Sequence, residues 1–304
     1  MSVRPIKRVI EAQPHLEGAG VKLQRAFGFG ETGDFDPFLL FDDFRNENPE
    51  DYLAGFPWHP HRGIETITYV LAGTVDHGDS LGNRGSLGAG DVQWMTAGSG
   101  IMHQEMPQGD AQGRMHGFQL WANLPSSLKM TTPRYQDVVS RDIPEIVDDD
   151  GTRVRVVCGD FWGKRGPVEG VAADPRYLDI WVPPGRRKVL PVETTRHAFA
   201  YVFEGSGTFR DASEPHGVQH EEIPGVAPAG RHQTGNRSLI LFDRGDEVVV
   251  QAGDQGIRFL LVSGKPLEEP VAWYGPIVMN TNAQLQQAIA ELRAGTFIKD
   301  RGLS

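Results

Sequence analysis

At 304 residues the chain is long enough for two domains, and its 39% hydrophobic and 23% charged content is that of a folded globular protein. A formal net charge of −10 repels phosphate backbones and anionic lipids, which argues against direct nucleic-acid or membrane binding. No apolar run approaches membrane-spanning length, and a single cysteine, Cys158, rules out an intrachain disulfide.

The opening stretch, through Val9-Ile10-Glu11, is basic but lacks the apolar core of a secretory signal, so a cytoplasmic location is expected. Short aromatic and β-branched runs then follow one another. They include Phe38–Phe41, Thr66–Leu71, Asp91–Met95 and Gly117–Trp121 in the first half. Tyr177–Val182, Ala198–Phe203, Leu239–Phe242 and Arg258–Val262 follow in the second. Gly and Pro punctuate them, which reads as many short strands closed into a sandwich, jelly roll or barrel. Thr68-Tyr69-Val70-Leu71-Ala72-Gly73 has an echo in Ala200-Tyr201-Val202-Phe203-Glu204-Gly205, which suggests two related barrels.

Between the halves, Pro133, Pro144 and the run Asp148-Asp149-Asp150 mark a linker over 135–150. The expected division is 1–134, 135–150 and 151–304. Cys158 lies in a strand-like run and reads as a buried structural thiol. Gly185-Arg186-Arg187-Lys188 is the one compact basic stretch and reads as a solvated turn. Near the C-terminus, Leu285, Ile289 and Leu292 fall at helical spacing after an Asn282 N-cap, with Gly295 at C′.

The chemistry concentrates in two short segments. In Phe56-Pro57-Trp58-His59-Pro60-His61, residues two apart on an extended backbone point the same way, so His59 and His61 can meet one point. In Gly100-Ile101-Met102-His103-Gln104-Glu105, His103 and Glu105 do the same. A lone His-x-His on a surface usually means nothing. Two dyads on neighbouring strands would bring three imidazoles and a carboxylate to one ion. That donor set suits Fe(II), Mn, Co, Ni, Cu or Zn and suits Ca or Mg poorly. Four protein ligands leave two positions of an octahedral ion open.

Glu65 shares the parity of His59 and His61 and reads as a ligand, a group orienting an imidazole, or a polar wall residue, the last two being favoured. His116 reads as a structural histidine, with a pocket role as the alternative. His77, His197, His216, His220 and His232 form no comparable pairing, and the second barrel is expected to bind no metal. Phe56, Trp94, Met95 and Met102 are candidates to line a pocket, with ordinary core packing as the competing reading.

These residues resemble the cupin superfamily and, within it, the pirin family. His59-Pro60-His61-Arg62-Gly63-Ile64-Glu65-Thr66 is similar to the first pirin motif, and Gly90 to Pro107 to the longer second one. Gln119 to Pro125 and Tyr274 to Thr281 are also pirin-like. One residue is added between Glu65 and Gly73, and Thr96 stands where many cupins have proline; both departures are usual in pirins. The resemblance implies an all-β protein of two tandem cupin (jelly-roll) barrels with a short C-terminal helix. It also implies Fe(II) in the N-terminal barrel on His59, His61, His103 and Glu105. Some members resemble quercetin 2,3-dioxygenases, which open a flavonol with dioxygen and release carbon monoxide. Others are iron-containing partners of transcription factors. The first implies a flavonol-like substrate, dioxygen and Glu105 as general base; the second implies a protein partner. Nothing in the sequence marks an interface, so a monomer is expected.

Overall fold

The computed structural model describes residues 2–210 and 233–299. His216, His220 and His232 lie outside the described residues. Among the described residues no helix is long and apolar enough to cross a membrane. The fold is all-β, in two compact units.

The unit that carries the histidine dyads comprises residues 12–143, 166–175 and 265–299. Seven antiparallel strands form one sheet, in the order Arg134–Val138, Val92–Thr96, Ile64–Ala72, His116–Asn123, Phe38–Asp43, Val21–Phe27, Gln13–Glu17. Four more form a second sheet, in the order Phe56–His61, Ile101–Gln108, Thr74–Asp79, Arg84–Leu87. Apolar clusters draw from both sheets. Leu23 and Val70 meet Val75 and Leu87; Ile64 and Met95 meet Ile101. The two sheets therefore face each other across one core, the jelly-roll arrangement.

The other unit comprises residues 2–11, 144–165 and 176–264, with 211–232 outside the description. Its sheet is built around two long strands, His197–Phe209 and Glu247–Gly264, each bent where the pairing register shifts. Gly205, the counterpart of Gly73 in the sequence echo, has φ +67°, and Gly73 has φ +78°. Both glycines turn the chain in a backbone region that other residues avoid. Val156, Leu178, Ile180, Val202, Leu241 and Phe259 are buried at the centre of this unit, and all but Leu241 join one apolar cluster. Cys158 is buried, as its strand-like run suggested.

Several expectations shift. Residues 2–11 belong to the second unit, because Ile6–Glu11 pairs with Ser238–Phe242. Residues 265–299 return to the first unit and bring the C-terminal helix with them. The stretch 135–150 is partly paired: Arg134–Val138 adds to Val92–Thr96, and Glu145–Val147 to Arg153–Cys158. Both are edge strands, where little hydrophobic signal and flanking prolines are tolerated. In the basic stretch Gly185, Arg186 and Arg187 are exposed as expected, but Lys188 is not solvated. It is 8% exposed, bonds Asp148 and, at 2.9 Å, Asp150, and lies 4.9 Å from the centre of the Trp162 ring.

The helix runs Asn282–Arg293, but its N-cap is Thr281, whose hydroxyl accepts from the Gln284 amide in a capping box. Gly295 has φ +70° just past the end. Its fully buried contact is Ala288 rather than Leu292, which is 37% exposed.

Candidate metal centre

Phe56–His61 is an edge strand, which is why it accommodates Pro57 and Pro60 without losing ladder hydrogen bonds. It pairs antiparallel with Ile101–Gln108, His59 standing opposite His103. A register shift between His103 and Glu105 places Glu105 opposite Phe56. The dyads thus lie side by side on one sheet, as the two-residue spacing requires.

The geometry is close. His59 Nε2 and His61 Nε2 are 3.0 Å apart, and one ring nitrogen from each of His59, His61 and His103 lies within 4.8 Å of the others. His59 Nδ1 donates to the Pro57 carbonyl at 2.8 Å, which leaves its Nε2 as a lone pair. Two nitrogens at 3.0 Å cannot both present lone pairs to empty space; a proton or a cation must lie between them. Neither ring nitrogen of His103 has a hydrogen-bond partner among the described residues, although the residue is 1% exposed. A buried imidazole left without partners is costly unless an ion or water takes its lone pair. The donor set therefore fits a borderline transition metal.

Burial holds the imidazoles neutral. It lowers the pKa of His59, and it carries His61 and His103 well below the usual histidine range, with neighbouring imidazoles adding to the effect. A metal ligand must be deprotonated, so this is the state that binds. Glu105 stands on the same face, Oε2 4.0 Å from His103 Nε2. Burial pushes its carboxyl up to about 7, against a hydrogen bond from Thr68.

Thr68 Oγ1 lies 3.0 Å from Glu105 Oε1 and 2.9 Å from the Gln119 side-chain oxygen position. One hydroxyl proton cannot serve both. With Glu105 ionised, Thr68 donates to it, and the Gln119 amide turned over donates to Thr68. His77, opposite Glu105 on the neighbouring strand, is buried and stacks on Tyr135 with ring centres 6.1 Å apart. Thr68 and Gln119 were not singled out by the sequence, and His77 was read there as forming no comparable pairing. No spacing rule links them to the dyads, because they arrive from separate strands.

Glu65 does not join the site. Gly63, at φ +77°, turns the chain after His61 and breaks the parity that the sequence suggested. Thr68 faces the cluster, so Glu65, three residues earlier on the same strand, faces away. It accepts from Thr96 Oγ1 at 2.8 Å, a bond that proline at 96 could not give. His116 lies 4.0 Å from Asp43 and edge-on to Phe118, on the face opposite Gln119. That geometry gives it no part in the pocket.

A cavity of about 600 Å³ opens onto the dyads. Its floor includes His59, His61, Glu105 and Gln119, and one wall is Trp121, Trp273 and Phe29. Trp121 is edge-on to His61, with ring centres 5.1 Å apart; Trp273 is 6.1 Å from Trp121, and Phe29 5.5 Å from Trp273. Of the four aromatic and methionine candidates, only Phe56 lines this cavity. Trp94 and Met95 are fully buried core, and Met102 is half-buried.

The turn at Gly63 rests on Lys129, which is 1% exposed. Its Nζ donates to the Gly63 carbonyl, the Val278 carbonyl and Asn123 Oδ1 at 2.8, 2.9 and 2.5 Å. We expect Lys129→Met to destabilise the protein by about 3 kcal/mol in denaturant unfolding, because three buried acceptors lose their donor. A loss under about 0.5 kcal/mol, the range of a neutral surface change, would contradict this role.

Comparison with known proteins gives the family. The sequence matches the Pirin family over residues 20–122 and the Pirin C-terminal cupin domain over residues 177–298. It is 43% identical over 298 residues to a pirin-like protein of Caulobacter vibrioides, covering 98% of this chain and 100% of that one. The crystal structure of quercetin 2,3-dioxygenase from Acinetobacter baumannii superposes with a TM-score of 0.83 at 30% identity, covering 97% of this chain and 99% of the other. The bacterial pirin YhhW of Escherichia coli, solved in complex with nickel(II), shares the fold with a TM-score of 0.62 at 22% identity, over 85% of this chain and 99% of that one. Two tandem cupin domains and full-length similarity lead to one conclusion: the chain belongs to the pirin family.

Proposed function

We propose that this pirin is a metal-dependent dioxygenase that opens a flavonol such as quercetin, with one divalent transition metal, Fe(II) first among the candidates, on His59, His61, His103 and Glu105. The observation that carries this reading is the cluster of neutral imidazoles, two of which line an aromatic-walled cavity, beside a carboxyl that burial brings to about 7. Both atoms of dioxygen enter the product, and one ring carbon leaves as carbon monoxide. A bound ion would supply Lewis acidity that makes the flavonol hydroxyl acidic near neutral pH.

The chain's own residues do the rest. Glu105 accepts the hydroxyl proton at a carboxylate oxygen, the position beside the imidazoles that a general base requires. Thr68 and Gln119 hold that carboxylate in one orientation. Trp121 and Trp273 offer flat apolar surface to a planar ligand, and the enclosed floor keeps bulk water from the reacting carbons.

The test is carbon monoxide release and loss of flavonol absorbance under air, with metal-free protein as control. Absence of turnover by iron-loaded protein at saturating flavonol would refute the flavonol reading. Metal without turnover would redirect attention to a protein partner sensitive to the metal. We also expect Trp273→Ala to raise KM for the flavonol about tenfold while metal content stays unchanged, the loss of roughly one aromatic contact. An unchanged KM would remove Trp273 from the binding wall.

A further inference from the structure

The C-terminal segment packs against residues that adjoin both histidine strands. Arg62 follows His61 directly and is 2% exposed. Its Nη1 donates to Glu291 Oε2 at 2.8 Å and its Nη2 to the Phe297 carbonyl at 2.7 Å. Its guanidinium carbon lies 4.1 Å from the centre of the Phe297 ring. Gly100, at the turn that launches the Ile101–Gln108 strand, also packs closely on Phe297. A methyl group on Gly100 would come within 3.0 Å of both the ring and the carbonyl of Phe297. Phe297 is therefore wedged between the residue that follows one dyad and the turn that precedes the other.

A tail that only capped the core would need apolar contacts alone. This one has them, since Ile277, Met279, Ala288 and Phe297 form a cluster. The buried guanidinium is a different matter. Burying a charge is expensive, and the side-chain hydrogen bonds that compensate for it come from Glu291 and Phe297, both in the C-terminal segment. Lys299 bonds the same Glu291 oxygen at 2.9 Å. Against its partial burial, the hydrogen bonds from Lys299 and Arg62 hold the Glu291 carboxyl down to about 2, so it stays ionised. The backbone adds a further tie, the Val278 amide donating to the Arg62 carbonyl at 3.0 Å.

We propose that segment 282–299 is a clasp for the metal centre: Arg62 and Phe297 fix the adjoining ends of the two histidine strands, so that metal occupancy and docking of the segment favour each other. The inference rests on the reading of His59, His61, His103 and Glu105 as metal ligands. Arg62 and Phe297 are positioning residues; neither meets the ion. The coupling is reciprocal, because anything that tightens the ligands by docking the tail is itself tightened when the ligands are filled. The surface of the helix Asn282–Arg293 thereby reports on the state of the centre.

Cobalt(II) is the probe. Its affinity is measured by competition against a coloured chelator, and its visible bands report ligand geometry. Wild type is compared with Arg62→Met and Phe297→Ala. Hydrogen exchange over 282–299 is measured in wild type with and without cobalt(II). The expected results are affinity at least about tenfold weaker in both variants, altered visible bands, and slower exchange of the segment on metal loading. Wild-type affinity and spectrum in the variants would overturn the clasp while leaving the metal centre intact. No cobalt binding by wild type would overturn both. If Phe297→Ala fails to fold, Phe297→Leu keeps most of the wedge but removes the ring face from the guanidinium. The wild-type exchange measurement needs no variant, and unchanged exchange on loading overturns the clasp.

Discussion

The double variant His59→Ala/His103→Ala is expected to purify with less than about a tenth of the wild-type metal and to open flavonol no faster than metal-free protein. Each dyad loses one imidazole, so neither strand retains a pair, and the remaining His61 and Glu105 form too small a donor set for tight binding. The fold should survive, because the imidazoles are held neutral by burial and carry few bonds to the rest of the chain: among the described residues His103 has no ring hydrogen bond, and His59 bonds the local Pro57 carbonyl and the neighbouring His61. Thermal unfolding of the chelated proteins checks this, and the variant should melt no lower than metal-free wild type by more than a few degrees. Elemental analysis and the oxygenase assay then carry separate information. Metal lost together with activity supports an enzyme built on this centre. Metal retained by the double variant would mean that the ion sits elsewhere. Wild type that takes up no metal under anaerobic reloading would remove the basis of the proposed function.

How far the sequence reaches is visible in these same residues. His59, His61, His103 and Glu105 were legible because a period-two rule converts spacing on a strand directly into a shared face. The rule holds only while the strand is continuous. Gly63 ends that continuity, and Glu65, which has the right parity on paper, bonds Thr96 on the opposite face. The barrels were legible from alternating apolar runs and glycine turns. Which terminus belongs to which unit was not, since pairing of Ile6–Glu11 with Ser238–Phe242 is a long-range choice with no local signal. The cavity wall shows the same limit. Trp94 and Met95 lie inside the second motif yet are fully buried and do not line the cavity, while Trp273 reaches it from a hairpin more than 150 positions after the second dyad. Local chemistry is written in short motifs; the walls around it are assembled by topology.

Glu105→Gln should separate the base from the scaffold. With three imidazoles intact, a metal site of three protein ligands remains, and metal content should fall far less than in the double histidine variant. Removing a proton acceptor should lower kcat by about 100-fold or more. The same variant tests the burial argument without turnover. In chelated protein the folded Glu105 carboxyl titrates near 7, against 4.5 for the same group freed of burial. A folded-state pKa above the unfolded one means that the folded protein binds the proton more tightly. The resulting stability is fully present below 4.5 and is lost as pH rises through about 7, a swing of roughly 3 kcal/mol. The three imidazoles act in the opposite sense: their lowered pKa values contribute stability above the usual histidine range that is lost on acidification. Wild type alone would therefore show a partly cancelled profile. The difference between Glu105→Gln and wild type cancels the imidazoles and should grow in favour of the glutamine between pH 4.5 and 7, then level off. A flat difference across that window would mean that the carboxyl is ionised throughout. Glu105 would then act as a fixed anionic ligand with no proton to exchange, and the general-base step would have to be assigned elsewhere.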